Sequence, residues 1–192
     1  MSNIEHMVTN LLDPKLDYVF KNIFGVERYK PLLVSFLNAL LKGDPQIKDL
    51  TLTNTEFPKM SKDDKTSRID VRATCSDRTE IDIEIQLYNT GEILDRALHY
   101  TSDIVRGSLG KNESYTTVRV IGIWILNENV LGSERPDAIN QAYMTFQPTA
   151  HASYGCMTKM IRVFFIELKK FNLEKADAQE ILTAWLAFLK DP

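Results

Sequence analysis

Two adjoining segments between Arg68 and Leu87 alternate strictly between apolar and polar residues, and no other stretch constrains the fold as much. A period of two in β-branched residues predicts two half-buried strands, and the short polar break at 76–79 predicts a hairpin between them. If both apolar sets face one core, odd positions pair with odd positions. The connection then holds an odd number of residues or contains a bulge. The apolar positions are Ile69, Val71, Ala73 and Cys75, then Ile81, Ile83, Ile85 and Leu87.

The polar face of this hairpin collects carboxylates. Asp70 is expected across from Glu84 and Gln86, which share a face because they are two residues apart. Directly opposite side chains lie about 4.5–5.5 Å apart, and carboxylates at that distance repel each other unless a cation offsets their charge. Such oxygen ligands suit Mg²⁺ or Mn²⁺, and Asp82 is a further candidate for the patch. The alternative is an ordinary solvated charge ladder, in which Arg68 and Arg72 balance the acids.

Composition limits the class of protein. The chain has 192 residues, of which 44% are hydrophobic and 26% charged, as in a globular domain with a core. Two cysteines supply no disulfide framework or cysteine-rich zinc site, which favours the cytoplasm. No apolar run reaches the roughly 20 residues that span a bilayer. A net charge of −3 argues against a highly basic nucleic-acid binder, but not against an enzyme with a local basic surface.

The other segments predict helices and strands around the hairpin. The order strand, helix, strand from 80 to 126 predicts a βαβ unit with a right-handed crossover, and therefore an α/β fold. The first helix is expected to begin with Asp13 as N-cap and Pro14 at its first position, and to stop at Gly25. The predicted helices are 13–25, 27–42, 92–109 and 174–190, and the predicted strands are 47–57, 117–126, 159–168 and, more weakly, 139–148.

Several basic and aromatic residues are placed to reach the acidic patch or its ligand. Lys65 lies in the polar loop before the hairpin, which is either a solvated linker or a phosphate-contacting loop. Arg96 and Tyr100 share one stripe of the helix after the hairpin, which either faces the patch or only covers the sheet. Asp17 and Lys21 lie one turn apart on the first helix, a spacing that is also typical of a surface ion pair.

Taken in order, several segments resemble one known family from about residue 13 to 190. The matching segments are LDYVFKNIFG (16–25), LLVSFLNALL (32–41), RIDVRA (68–73), IDIEIQ (81–86), the Arg96–Tyr100 spacing, KNESYTTVRVIGIWIL (111–126) and FFIELKKF (164–171). No segment is specific alone, but the ordered set resembles the PD-(D/E)XK nuclease superfamily. More closely, it is similar to the bacterial recombination-promoting nuclease and putative transposase family.

The resemblance implies a restriction-endonuclease-like core, with a mixed central sheet of about four to five strands flanked by helices. It implies that Asp70 and Glu84 bind Mg²⁺ or Mn²⁺. Asp17 matches the acidic residue of the first helix, which either adds a metal contact or holds a water.

Gln86 stands where the superfamily usually has lysine. This family is similar in carrying glutamine there, so the change does not by itself imply an inactive site. A neutral amide orients water by hydrogen bonds but supplies no charge. The cationic role is therefore open to Lys21, Arg72 or Arg96.

The implied function is metal-dependent hydrolysis of DNA phosphodiester bonds, associated with recombination or transposition. The alternative is a nuclease-like module that binds DNA or protein without cutting, which the glutamine and the pI of 5.7 favour. Residues 1–12 are expected to be a flexible N-terminus, and residues 13–192 a single domain. The apolar face of the last helix also allows a homodimer. Family members usually continue with a further helical segment, so the chain is either a short member or truncated. The expected catalytic residues are Asp70, Glu84, Gln86 and Asp17, and the expected DNA-binding residues are Lys21, Lys65, Arg72, Arg96 and Tyr100.

Overall fold

The computed structural model describes residues 12–53, 70–108, 118–133, 137–144, 161–177 and 179–191 of the chain. The helices there are α1 (Asp17–Phe24), α2 (Lys30–Leu41), α3 (Ile93–Gly107) and α4 (Ile181–Lys190). The strands are β1 (Leu50–Leu52), β2 (Val71–Cys75), β3 (Glu80–Gln86), β4 (Val120–Leu126), β5 (Ile139–Met144) and β6 (Ile161–Glu167). They form one six-stranded sheet in the order β1-β2-β3-β4-β6-β5.

The sheet is mixed, and helices cover both of its faces. β3, β4 and β6 run parallel, while β1, β2 and β5 are antiparallel to their neighbours. One face packs against α1, α2 and α4, and the other packs against α3. The predicted α/β fold and its βαβ unit are therefore confirmed. The sheet has six strands where about four to five were expected, because the weakly patterned segment at 139–148 forms the edge strand β5.

The hairpin of β2 and β3 has the predicted register. Val71 lies opposite Ile83, so odd positions pair with odd positions. Three residues, 76–78, form the connection, closed by a 2.8 Å bond from the Cys75 N–H to the Thr79 carbonyl. Arg78 adopts φ of 66°, the left-handed conformation that ends a three-residue hairpin loop. The odd-length connection follows from the parity of the apolar positions.

The first helix begins later than predicted. α1 starts at Asp17, with Leu16 as its N-cap. Asp13 instead accepts a 2.9 Å hydrogen bond from the Lys15 N–H. It therefore stabilises the turn that precedes the helix and does not cap the helix itself. The predicted end is right, because the Gly25 N–H donates to the Lys21 carbonyl at 2.8 Å. This start places Asp17 in the first helical turn, one turn before Lys21.

The buried stripes of α3 and α4 are narrow. Leu94 and Leu98 are each 50% exposed, and Ile181 is 62% exposed. Among the described helices, α3 is the one that covers its face of the sheet, so only its residues that point at the strands are buried. Those residues are Ile93, Ala97, Thr101 and Ile104.

Candidate metal centre

Asp70 and Glu84 come together where the β2–β3 hairpin opens towards α1. Asp70 directly precedes β2, and continuation of the strand register places it opposite Glu84. The Asp70 backbone N–H donates to Glu84 Oε1 at 3.0 Å. In return, the Ile85 backbone N–H donates to Asp70 Oδ2 at 3.0 Å. These reciprocal bonds hold the two carboxyl groups at one position of the hairpin.

Burial makes ionisation of this pair unfavourable. The side chain of Glu84 is 2% exposed and that of Asp70 is 13% exposed. Burial, together with the charges of Asp70 and Asp82, raises the pKa of Glu84 to about 9. Burial also raises the pKa of Asp70, although the Ile85 N–H and Lys21 oppose it. Two such carboxyl groups are fully ionised at neutral pH only if further positive charge offsets their repulsion.

α1 brings a cation and a further carboxylate to the pair. Lys21 Nζ lies 3.1 Å from Asp70 Oδ1 and 2.7 Å from Asp17 Oδ1. Burial lowers the pKa of Lys21, but its hydrogen bonds to Asp17 and Asp70 outweigh burial, and the pKa is raised. Asp17 is 67% exposed and is itself near enough to contribute to the raised pKa of Asp70. The first helix therefore contributes one positive and one negative group to the site.

Gln86 is held in place from two sides. Its Nε2 donates to the Ile85 carbonyl at 3.0 Å, and its Oε1 accepts from Arg96 Nη1 at 3.0 Å. Arg96 Nη2 also lies 3.9 Å from Glu84 Oε2. The guanidinium therefore reaches both polar residues at the end of β3, which fixes the orientation of the Gln86 amide.

Two aromatic rings position Arg96. Its guanidinium carbon lies 5.4 Å from the centre of the Trp124 ring and 5.6 Å from that of Tyr100. The two rings are themselves 5.7 Å apart, between centroids. Trp124 lies directly opposite Glu84 in the parallel β3–β4 register. Sequence reasoning missed Trp124; the available signal was a large aromatic residue in the central strand beside an acidic strand.

Two further residues were expected at the site, Arg72 and Lys65. Arg72 lies opposite Asp82 in the hairpin register, and its Nη2 is 3.2 Å from Glu80 Oε2, nearer the turn. Lys21 contacts Asp70, and Arg96 contacts Glu84 and Gln86. Both are therefore placed to take the role of the usual lysine. Lys65 lies outside the described residues.

Asp82 lies two residue pairs further into the hairpin than the Asp70–Glu84 pair. It is completely buried beneath α3. Burial raises its pKa to about 7, while the Ile123 backbone and Arg72 oppose the shift and Asp70 adds to it. The polar face of β3 is therefore covered by α3, and the alternative of a solvated charge ladder does not describe it.

The donor set suits a hard divalent cation. Asp70 and Glu84 offer carboxylate oxygens, which are the ligands that Mg²⁺ and Mn²⁺ prefer. The raised pKa of both groups indicates that the neighbouring cations do not fully offset their negative charge. In the described ranges, no three His, Cys, Asp or Glu side chains form a candidate ligand group. Mg²⁺ usually keeps several waters and is held by one or two carboxylates, so the pair is sufficient.

Fold and site together define a class of protein. A mixed α/β sheet whose hairpin and βαβ unit share one acidic strand is consistent with a PD-(D/E)XK restriction-endonuclease-like domain. The family model described as PD-(D/E)XK nuclease family transposase matches residues 14–192, and the chain belongs to this family. No curated protein and no solved structure matches the chain. Among the described helices, none has the length and apolar character needed to cross a membrane.

Proposed function

We propose that this protein is a DNA endonuclease that uses Mg²⁺ or Mn²⁺ to hydrolyse phosphodiester bonds in recombination or transposition. The observation that carries the proposal is a pair of backbone hydrogen bonds, from the Asp70 N–H to Glu84 and from the Ile85 N–H to Asp70, which positions the two carboxyl groups. Membership of a nuclease family supports DNA as the substrate.

Asp70 and Glu84 are the proposed metal ligands. A bound metal ion supplies a Lewis acid for the scissile phosphate and lowers the pKa of a bound water. Glu84 is kept in place for this role by the Asp70 N–H, and Asp70 by the Ile85 N–H. Glu84 lies within β3 and Asp70 directly precedes β2, so the hairpin backbone preorganises both ligands.

Gln86 and Lys21 are proposed to replace the usual lysine together with Arg96. Gln86 orients the attacking water, and Arg96 fixes the Gln86 amide through the 3.0 Å bond to Oε1. Lys21, held beside Asp70 by Asp17, offsets charge that develops on the phosphate. Preorganised charges of this kind stabilise a transition state without reorganisation.

The flanking DNA backbone is proposed to contact Lys65, Arg72 and Tyr100 in addition to the two cations of the site. Phosphate contacts fix the position of a protein on DNA but do not read sequence. The hydroxyl of Tyr100 accepts a hydrogen bond from Arg96 Nη2 at 3.4 Å. Tyr100 therefore also acts indirectly, by helping to orient Arg96.

The direct test is nicking of a supercoiled plasmid with Mg²⁺ present. Asp70→Asn and Glu84→Gln keep the size of each side chain and remove its charge. The matched control is Asp49→Asn, which alters an exposed carboxylate paired with Lys30 at 3.1 Å. We expect wild type and the control to nick equally, and each site variant to lose roughly 100-fold or more. Equal nicking by all four proteins would refute the proposal.

The second candidate is a nuclease-like module that binds DNA or a protein partner without cutting. Lys21 favours it, because an internal ammonium 3.1 Å from Asp70 Oδ1 already offsets part of the negative charge. Thermal melting with and without Mg²⁺ separates the candidates, since a ligand that binds the folded state raises Tm. DNA binding without any rise in Tm favours the module. Self-association through α4 is compatible with either function and is measured by light scattering.

A further inference from the structure

A second polar site lies beneath α3, behind the candidate metal centre. Asp82 is completely buried, and neither of its carboxyl oxygens has a hydrogen-bond partner among the described residues. The Ile123 amide approaches closely enough to affect the pKa, but outside hydrogen-bond geometry. In the same part of the structure, Trp124 Nε1 is buried and also lacks a partner. Buried donors and acceptors are rarely left unpaired, so these groups indicate a shared ligand.

Gly122 lies beside both of these groups. Gly122 lies directly opposite Asp82 in the β3–β4 register. A Cβ atom on Gly122 would lie 3.4 Å from Asp82 Oδ1, 3.8 Å from Trp124 Nε1 and 3.1 Å from Thr101 Cγ2. The Thr101 hydroxyl donates to the carbonyl of Ala97 at 2.8 Å, so its hydrogen is not available to Asp82. A buried acceptor and a buried donor therefore lie together beside Gly122, which has no side chain that could pair with either.

We propose that an ordered water molecule binds between these two groups, donating to Asp82 and accepting from the Trp124 Nε1–H. Buried waters typically make two to four hydrogen bonds to groups that would otherwise be unsatisfied. The carboxyl group and the indole N–H provide that number. The methyl group of Thr101 closes the space on the side of α3, so the site is suited to a single small ligand.

The functional consequence rests on the proposed nuclease activity. Trp124 is the ring on which Arg96 stacks, and Arg96 holds the Gln86 amide. The water fixes the rotation of the indole by binding its N–H. Asp82 is thus a positioning residue, which acts on Arg96 through the water and Trp124 and does not contact the substrate.

The water is tested directly by nuclear magnetic resonance on ¹⁵N-labelled protein. The protein has two tryptophans, so Trp185→Phe assigns the indole resonance of Trp124. We expect a cross-peak between the Trp124 Nε1–H and a long-lived water. It should persist in Thr101→Ser and disappear in Gly122→Ala/Thr101→Ser, where a methyl group fills the space. Absence of the cross-peak from wild type, or its persistence in the double variant, would overturn the site.

Thermal melting of the same variants gives an independent result. Thr101→Ser removes the methyl group that an alanine at 122 would meet, so the double variant is free of that close contact. Glycine to alanine in a strand is otherwise favourable. Because the new methyl displaces the water and leaves two buried polar groups unpaired, Tm should fall by roughly 2–8 °C relative to Thr101→Ser. An unchanged or higher Tm, as expected when a dry void is filled, contradicts the proposal.

The positioning role is tested with Trp124→Phe, which keeps an aromatic ring and removes the N–H. We expect kcat for plasmid nicking to fall roughly 10-fold while KM is unchanged, since Arg96 becomes less well oriented. An unchanged kcat overturns the positioning role. If wild type does not nick DNA at all, the proposed function fails, but the resonance and melting experiments still decide whether the water is bound.

Discussion

Proton release on metal binding is the sharpest consequence of the buried Asp70–Glu84 pair. The pKa of Glu84 is raised to about 9 without a metal, so only about 1% of its carboxyl groups are ionised at pH 7. A metal ligand must be deprotonated, so binding of Mg²⁺ releases the proton that Glu84 holds. The expected release at pH 7 is about one proton per site, and Asp70, whose pKa is also raised, can only add to it.

The same reasoning gives the pH dependence of affinity. Apparent affinity for Mg²⁺ should rise about tenfold per pH unit from about pH 6 to about pH 8, and reach a plateau near the pKa of Glu84. At pH 7 the affinity is then roughly 100-fold below its plateau. The increase requires no change in protein conformation, because protons and metal compete for the same oxygens.

Isothermal titration calorimetry measures the protons directly. Titrations of Mg²⁺ in buffers with different ionisation enthalpies give a slope equal to the number of protons released. Glu84→Gln should bind Mg²⁺ weakly and release about one proton fewer per site than wild type, whereas Asp49→Asn should behave as wild type. Tight binding by wild type with no proton release, or with affinity independent of pH, would show that Glu84 is not a buried ligand.

Three further predictions concern stability and the role of the cations. In EDTA, Tm should fall as pH rises from about 5 to about 8, because the folded state keeps the proton of Glu84 to a higher pH than the unfolded state does; Glu84→Gln should flatten this slope. Arg96→Lys should lower kcat for nicking roughly 10-fold because lysine lacks the planar fork, whereas Arg106→Lys on the exposed side of α3 should not. Glu167→Gln should cost about 2–4 kcal/mol in urea unfolding, because it breaks a buried 2.6 Å ion pair with Lys170.

The hairpin could be predicted from the sequence because one periodic pattern determines several features at once. Strict alternation fixes which side chains face the core, and the parity of the two apolar sets fixes the register. Once Val71 is opposite Ile83, Asp70 must lie near Glu84. The juxtaposition of the two acids is therefore a local consequence of about 20 residues, and it needs no knowledge of the rest of the fold.

The polar surroundings of the pair could not be predicted in this way. Alternation indicates that the even positions of β3 are polar, but not that α3 covers them, since covering depends on how the crossover helix packs on the sheet. Asp82 is completely buried for this reason, although its pattern equally suits an exposed position. Trp124 likewise reads as core, and its contact with Arg96 follows only from the parallel register of β3 with β4.

The glutamine at position 86 is best understood together with Arg96. Gln86 Oε1 accepts from Arg96 Nη1 at 3.0 Å, so the position next to the guanidinium needs an acceptor. A lysine there would replace that acceptor with an ammonium, and two cations would face each other at hydrogen-bond distance. The positive charge near Glu84 comes from α3, and the charge near Asp70 comes from Lys21 on α1. In the proposed nuclease, the charge that the usual strand lysine would provide is thus divided between two helices, and a neutral amide is the residue that fits beside the guanidinium of Arg96.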